Sequence, residues 1–368
     1  MFSHNTQSQS VVIAIKSPLQ AINAVEFYHH HKDSINLSTL QIIVFCSREK
    51  PIIAHTIKSI IHKIGCHNIH IIPSLPSGKK WWHPLREYFS TIRFRNAASV
   101  AISKSLIAPL LILGDYRSQD CRALAGFFPK AKFVLLDDGS ATHQIARYRN
   151  NTADPALAPM FPKHDFRALR LLLWAGIRIP YIDRVAFFTH YNIRVSANDT
   201  IIRNDYSFWR SVLAQKRHTC TSSVLFLGMS HVEKRLTDLD RYLSALRRIG
   251  NFYANSDIYY RPHRDETADK LSALCSLGFK VIDPDATPVE LALIESDFLP
   301  SEIACIASSA LDNLAVIFQG RLKLRCFVPE DNYCSPSMRG HFQDIIRHHT
   351  EGDLPNMHVT RLADLPSP

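Results

Sequence analysis

The chain has no apolar run long enough to cross a bilayer, which excludes a membrane-spanning helix of ordinary length. One of its longest apolar stretches, 170–178, is bounded by arginines and is much shorter than the ~20 residues that a spanning helix needs. The first ten residues also lack the charged start and the cleavage site of a secretory signal. We therefore expect a cytoplasmic protein.

Motifs for bound metals and common cofactors are also missing. The eight cysteines show no paired spacing of a metal site, and a disulfide framework is not expected in a cytoplasmic chain of this size. The chain has only 12 glycines, and no P-loop or dinucleotide fingerprint occurs among them. Asp283-Pro284-Asp285 and Asp238-Leu239-Asp240 match the Asp-x-Asp pattern of a divalent-ion site, but such triplets are frequent by chance. We expect no metal and no cofactor.

Positive charge is in excess: 43 Lys and Arg against 33 Asp and Glu give a net charge of +10. This excess of positive charge favours an anionic partner. Three candidates are open: a nucleic acid, a nucleotide-sugar and an anionic membrane surface. Two segments, 79–95 and 166–188, interleave basic and aromatic residues, as membrane-interface segments do. The alternative for both is a helix that packs its apolar face on a domain core.

Apolar strand patterns alternate with helical patterns along the chain, which predicts an α/β fold with parallel sheets. We expect an N-terminal Rossmann-like domain at 1–195, a polar linker at 196–222 and a C-terminal Rossmann-like domain at 223–368. Near the end of the second domain the pattern predicts a helix over 310–314 that leads into a strand over 315–318. A helix is also predicted over 232–250.

The first chemical motif is Asp137-Asp138-Gly139, which follows the apolar strand pattern 132–136. Carboxyl ends of strands in open parallel sheets face the ligand crevice, and Gly139 allows a tight turn with positive φ. A carboxylate placed there can act as a general base on a hydroxyl group. The alternative is a plain polar turn, because Asp-Gly is a common turn dipeptide.

The second motif is Arg261-Pro262-His263-Arg264, again after a strand pattern. Pro262 stiffens the backbone before His263, which titrates near neutrality and can donate a hydrogen bond to a phosphate. Arg261 and Arg264 add charge-assisted donors for the same anion. The alternative is a charged surface turn.

The third motif is Ser308-Ser309, between a strand pattern and a helical pattern. Either serine suits a helix N-cap, and the first-turn amides with the hydroxyls can bind a nucleotide phosphate. Upstream, Glu290 begins another helix and can accept bonds from ribose hydroxyls; the alternative is a favourable charge at a helix N-terminus. Gly228 follows a strand and is a further candidate phosphate or acceptor contact.

The three motifs, in this order and each after an apolar strand, resemble those of bacterial sialyltransferases. The likeness is to lipooligosaccharide sialyltransferases (glycosyltransferase family 52) and capsular polysialyltransferases (family 38), which the sequence does not separate. The resemblance covers the sites and the strands before them. It implies the GT-B fold, with two facing Rossmann-type domains.

The resemblance also implies roles for the motif residues. Asp138 resembles the residue that acts as the family's general base on the acceptor hydroxyl, and Asp137 would support or orient it. His263 would stabilise or protonate the departing phosphate of CMP, with Ser308 and Ser309 as phosphate ligands and Glu290 at the ribose. The family usually has proline after the histidine, whereas Arg264 follows it here.

The function implied is an inverting transfer of sialic acid from CMP-sialic acid to a hydroxyl of a cell-surface glycan. The expected partners are that donor, a glycan acceptor with a lipid link, and an anionic membrane on which the protein would lie peripherally at the inner membrane. Nucleic acid is not expected as a partner. Two alternatives remain open: another CMP-activated ulosonic acid such as Kdo, or a non-catalytic protein that binds nucleic acid or an anionic glycan.

Overall fold

The computed structural model of the protein describes residues 10–47, 51–75, 84–102, 109–139, 141–151, 166–178, 182–282, 286–334, 339–352 and 354–365. The chain divides into two compact units, which we call unit 1 (Met1–Phe208) and unit 2 (Trp209–Pro368). In both units parallel strands alternate with helices. The α/β class predicted from the sequence is therefore confirmed.

The described part of unit 1 contains a parallel sheet of seven strands in the order β3-β2-β1-β4-β5-β6-β7. The strands are β1 Val11–Ile15, β2 Leu40–Cys46, β3 Ile69–Pro73, β4 Leu110–Leu113, β5 Lys132–Leu136, β6 Val185–Thr189 and β7 Thr200–Arg203. Continuous apolar runs predicted the inner strands because a parallel sheet covered on both faces buries successive residues, as all five do in β1. The order reverses between β1 and β4, so a crevice is expected at their carboxyl ends.

The helices that start in unit 1 are α1 Pro18–His30, α2 Pro51–Ile61, α3 Pro84–Ile102, α4 Gln119–Ala125, α5 Ala141–Asn151, α6 Phe166–Trp174 and α7 Ser207–Ala214. Ser17 caps α1, since its side chain accepts a hydrogen bond from the Gln20 amide, and Pro18 occupies the first turn. Within the described ranges, no helix combines the length and the apolar character that crossing a membrane requires.

The stretch 196–222, expected as an irregular linker, contains β7, α7 and a short strand, β8 (Thr219–Cys220). Strand β7 pairs with β6 from Ala186↔Thr200 to Thr189↔Arg203. The sequence pattern missed β7 because it is only four residues long and lies at the sheet edge, where its side chains are largely exposed. The acidic residue just before it is structural: Asp199 is buried and forms a bidentate ion pair with Arg149.

Unit 2 has a parallel sheet of six strands within its described residues, in the order β11-β10-β9-β13-β14-β15. Its strands are β9 Val224–Leu227, β10 Ile258–Arg261, β11 Lys280–Val281, β13 Glu302–Ile306, β14 Lys323–Val328 and β15 Met357–Arg361, and β12 Phe298–Leu299 pairs separately with β8. The helices are α8 Leu239–Phe252, α9 Ala268–Ser276, α10 Val289–Glu295, α11 Ala310–Phe318 and α12 Arg339–Glu351. Here the order reverses between β9 and β13.

Two local predictions in unit 2 were wrong. The strand expected over 315–318 is the second half of α11, because Leu311, Leu314 and Phe318 follow helical spacing and are all buried. The helix expected from residue 232 begins only at Leu239. Asp238 caps it there by accepting a hydrogen bond from the Arg241 amide at 2.8 Å.

Candidate functional site

Asp137 lies directly after β5 and is almost fully buried, with 1% of its surface exposed. Its carboxyl oxygens accept hydrogen bonds from the Thr142 hydroxyl at 2.9 Å and from the His190 amide at 3.0 Å. Burial, with a smaller contribution from the charge of Asp138, raises the pKa of Asp137 to about 7. Asp137 therefore fastens the start of α5 and the end of β6 to the end of β5 and presents no free oxygen.

Asp138 has the accessible carboxylate of the pair, with 24% of its side chain exposed. Its Oδ1 accepts a hydrogen bond from Gln20 Nε2 at 3.2 Å, and its Oδ2 lies 3.9 Å from Arg117 Nη2. Burial, followed by the charge of Asp115, raises the pKa of Asp138. Gly139 has φ of 61°, which confirms the predicted positive-φ turn. This carboxylate can accept a proton from a bound hydroxyl group.

The groups around Asp138 come from the ends of β1 and β4, which border the crevice in unit 1. Lys16 Nζ donates to Ser118 Oγ at 3.3 Å and lies 3.8 Å from Asp120 Oδ2. Asp115 Oδ1 accepts a hydrogen bond from the Arg117 amide at 2.8 Å. None of these residues belongs to a motif predicted from the sequence. The same rule that found Asp137 applies to them, because Gly114-Asp115 also follows an apolar strand.

His263 lies in the turn after β10, with 29% of its side chain exposed. Its Nδ1 accepts a hydrogen bond from the Asp265 amide at 3.2 Å, so the neutral ring carries its proton on Nε2. Burial, opposed by the charge of Asp265, lowers the pKa of His263 to about 4. At neutral pH the side chain is therefore an uncharged Nε2–H donor. A phosphate beside it would favour the protonated form.

The paired serines lie between β13 and α11, after Ala307, which has a strained φ of 45°. Ser308 is buried, and its Oγ accepts a hydrogen bond from the Ala310 amide at 3.3 Å. Ser309 occupies the N-cap position with helical backbone angles and forms no side-chain capping bond. Of the two predicted caps, the Ser308 hydroxyl performs the capping, at the start of a nine-residue helix whose first amides can bind an anion.

Glu290 is buried in the first turn of α10 and accepts a hydrogen bond from Asn313 Nδ2 at 2.8 Å. Burial raises the pKa of Glu290, while the charge of Arg261 lowers it by a smaller amount. Arg261 Nη2 donates to the Thr287 carbonyl at 2.7 Å, just before α10. The structure thus brings Arg261, Glu290 and the serine-led helix α11 together. Arg264 is exposed on the His263 turn.

Gly228 follows β9, and its amide donates to the Arg261 carbonyl at 2.8 Å. A Cβ atom at this position would lie 2.6 Å from Tyr260 Oη and 2.7 Å from Glu266 Oε1, so the close packing requires glycine. Lys270, 1% exposed, donates to the Met229 carbonyl at 2.7 Å and to Glu266 Oε1 at 3.2 Å. This buried network holds the loops after β9 and β10 together, and no local sequence pattern predicts it.

Only one of the two Asp-x-Asp triplets, Asp238-Leu239-Asp240, lies within the described residues. Asp238 caps α8, and Asp283 and Asp285 lie outside the described residues. No group of three or more His, Cys, Asp or Glu side chains suited to hold a metal ion occurs in the part of the chain that the structure describes.

Comparison with known proteins identifies the fold. No family model matches the chain, and no curated protein matches it. Among solved structures, a Listeria monocytogenes protein described as a UDP-N-acetylglucosamine 2-epimerase is similar, at a TM-score of 0.51 and 10% identity over 91% of this chain and 82% of that one. The Arabidopsis thaliana protein UGT89C1, complexed with UDP-L-rhamnose, has a TM-score of 0.50 and 9% identity, over 99% and 88% of the chains. The chain therefore has a GT-B-type fold, as expected.

Proposed function

We propose that this protein is an inverting glycosyltransferase that transfers sialic acid from CMP-sialic acid to a hydroxyl of a cell-surface glycan. The observation that carries the proposal is the contrast between the two crevice edges. In unit 1 the carboxylate of Asp138 is the most exposed one after β4 and β5, at 24% of its side chain against 15% for Asp115. In unit 2 the strand ends present hydrogen-bond donors and a helix N-terminus suited to a phosphate. The fold supports a sugar-nucleotide enzyme, because UGT89C1, which shares it, is complexed with UDP-L-rhamnose.

The donor would bind in unit 2. Ser308, Ser309 and the first amides of α11 would hold the CMP phosphate, and Arg261 and Arg264 would add positive charge. Glu290 lies one helix away from the serines and would accept bonds from ribose hydroxyls. The close packing at Gly228 would keep the loop after β9 near the same phosphate.

The reaction would be a direct displacement. The acceptor hydroxyl gives its proton to Asp138 as its oxygen forms a bond to the anomeric carbon. The bond between that carbon and the CMP phosphate oxygen breaks, and its electron pair leaves with CMP. Nε2–H of His263 would stabilise the charge that develops on the departing phosphate, and a single displacement inverts the anomeric carbon.

A membrane-linked acceptor is consistent with two surface helices of unit 1. Helix α3 exposes Leu85 and Phe89, and α6 exposes Leu173 and Trp174, with the Arg170 guanidinium 5.4 Å from the Trp174 ring centroid. Other residues of these helices, including Phe94 and Leu172, are packed in the core. The proposed membrane contact and the core-packing alternative therefore concern different residues of α3 and α6. Binding to anionic vesicles but not to neutral ones would test the contact.

The direct test is a donor panel. Purified protein is incubated with CMP-sialic acid, CMP-Kdo, UDP-glucose or UDP-N-acetylglucosamine, and released nucleotide is measured by chromatography. We expect CMP release from CMP-sialic acid, and greatly reduced release with the Asp138→Asn variant. Release from CMP-Kdo alone would change the donor but keep the reaction class. No release from any donor, together with binding of nucleic acid or an anionic glycan, would overturn the proposal.

A further inference from the structure

The proposed base, Asp138, accepts a hydrogen bond from the side chain of Gln20, which lies in the helix that follows β1. Gln20 lies in the first turn of α1 and is 1% exposed. Its Oε1 accepts a hydrogen bond from the Lys16 amide at 2.8 Å, and its Nε2 donates to Asp138 Oδ1 at 3.2 Å. Because a backbone N–H fixes the oxygen end, the amide nitrogen must face Asp138.

Gly114, directly after β4, packs closely against the side-chain amide of Gln20. A Cβ atom on Gly114 would lie 2.3 Å from Gln20 Oε1 and 2.6 Å from Gln20 Cδ, distances that real Cβ contacts do not show. The Gly114 amide in turn donates to the Ala14 carbonyl at 2.8 Å, which fixes β4 against β1. Only glycine at this position leaves room for Gln20 in its observed place.

The main chain of Gln20 is also fixed, because its amide donates to Ser17 Oγ at 3.3 Å at the N-cap of α1. Backbone, side-chain oxygen and side-chain nitrogen of Gln20 are therefore all held by hydrogen bonds. A side chain that is buried and bonded at both ends positions its partner more firmly than a mobile surface residue can.

We propose that Gln20 is a positioning residue that holds Oδ1 of Asp138 and leaves Oδ2 to take the proton of the acceptor hydroxyl. The inference rests on the proposed function of Asp138 as a base. The bond from Nε2 also favours the ionised carboxylate, which burial and the neighbouring Asp115 disfavour.

The charged groups that face Asp138 define what a titration would report. Lys16 follows β1, Asp115 and Arg117 follow β4, and Asp137 precedes Asp138 in the turn after β5. Replacing Gln20 by a side chain of similar length without donors adds and removes no charge, although it also takes from the Lys16 amide the oxygen that it donates to. Loss of the hydrogen bond to Asp138 should then raise the pKa of Asp138, with the number of charges around it unchanged.

The test uses Gln20→Met, which removes the donor, and Gly114→Ala, which displaces the amide without changing it. The pKa of Asp138 is measured by NMR on protein with ¹³C-labelled aspartate carboxyls, with Asp138→Asn to assign the signal. The pH dependence of kcat/KM is measured with the donor that the panel identifies. Asp238→Ala is the matched control, because it removes the cap of α8 in unit 2 and leaves every bond of Gln20 in place.

Both variants should move the Asp138 titration and the acidic limb of kcat/KM upward by about one pH unit. They should also lower kcat about tenfold, because a base held less firmly is misplaced. Asp238→Ala should lower the melting temperature and move neither titration. An unchanged Asp138 titration in both variants would overturn the inference. If the wild-type protein transfers no sugar, the NMR titration still decides the role of Gln20, and only the proposed function fails.

Discussion

Unit 1 and unit 2 share a strand order that reverses beside the first strand of each sheet, yet their crevice edges carry opposite chemistry. In unit 1 the loops after β4 and β5 carry the carboxylates Asp115, Asp137 and Asp138, of which Asp138 is the most exposed. In unit 2 the strand ends carry His263, Arg261 and a serine-led helix. The backbone arrangement therefore supplies only the place, and a few residues after each strand decide whether that place accepts a proton or binds an anion.

The two units also treat their buried carboxyl groups differently. Asp137 in unit 1 is satisfied by uncharged donors, Thr142 and the His190 amide, next to a second carboxylate. Glu266 in unit 2 is satisfied by Tyr260 and by the buried cation of Lys270. Burial raises both pKa values to about 7, so the difference between the two carboxyl groups lies in their partners. Asp137 is bonded to neutral donors, whereas the ionised Glu266 joins two loops through an ion pair that is costly to break.

The largest expected effect is a difference in turnover between variants of the adjacent residues Asp137 and Asp138 in unit 1. Asp138→Asn should reduce turnover by about 10²–10⁴-fold, because it removes a general base, while donor affinity stays nearly unchanged. Asp137→Asn should reduce turnover less and lower the melting temperature more. The new NH₂ group would face a donor, the Thr142 hydroxyl or the His190 amide, whose hydrogen bond a carboxyl oxygen of Asp137 now accepts. Steady-state kinetics and thermal unfolding of both variants test this ranking. The reverse ranking would assign the base to Asp137.

The next effect concerns unit 2. His263→Ala should lower kcat by about 10²–10³-fold, because it removes a donor aimed at developing phosphate charge. A donor analogue with a better leaving group should recover part of that loss. His358→Ala, at an exposed histidine of β15, serves as the control. A stable His263→Ala protein with unchanged turnover would remove the histidine from the mechanism.

A binding experiment tests whether unit 2 binds the nucleotide while Asp138 of unit 1 takes no part in that binding. CMP should raise the melting temperature more than UMP or AMP, since a ligand at about 100 times its Kd stabilises the native state by about 2.7 kcal/mol. Glu290→Gln and Ser308→Ala should reduce this shift, whereas Asp138→Asn should leave it unchanged. Equal shifts for the three nucleotides would contradict cytidine selectivity. A loss of the shift in Asp138→Asn alone would contradict the assignment of nucleotide binding to unit 2.

The smallest effect is a pH dependence of stability. Burial raises the pKa values of Asp137 and Glu266 to about 7, so the folded protein binds these protons more tightly than the unfolded chain. The stability that they contribute is present at low pH and is lost as pH rises from about 4 to 7, by at most ~1.4 kcal/mol per pH unit for each group. Asp137→Asn and Glu266→Gln should each flatten this loss in urea unfolding. Slopes identical to that of the wild type would contradict the raised pKa values.

Much of the fold could be predicted because buried parallel strands are apolar along their whole length, as in β1 and β4. Strand β7 could not, because an edge strand needs backbone pairing and not apolar side chains. The end of α11 was misassigned because its β-branched residues suit a strand locally, while their burial follows helical spacing.

The motif residues could be found because each follows a strand, and strand ends meet at one edge of a sheet. Gln20 and Lys270 could not be found in this way. The hydrogen bond between Gln20 and Asp138 joins residues that are 118 positions apart in the sequence, and the bond from Lys270 to Met229 joins residues that are 41 positions apart. Contacts of that separation depend on how strands are ordered, which the local pattern does not specify.

The most direct test of the assigned chemistry is an NMR time course of CMP-sialic acid with a glycan acceptor. The account predicts that CMP and a new glycoside form in equal amounts, that the anomeric configuration is opposite to that of the donor, and that Asp138→Asn forms neither at a comparable rate. Retention of configuration, or an equal rate with Asp138→Asn, would contradict it.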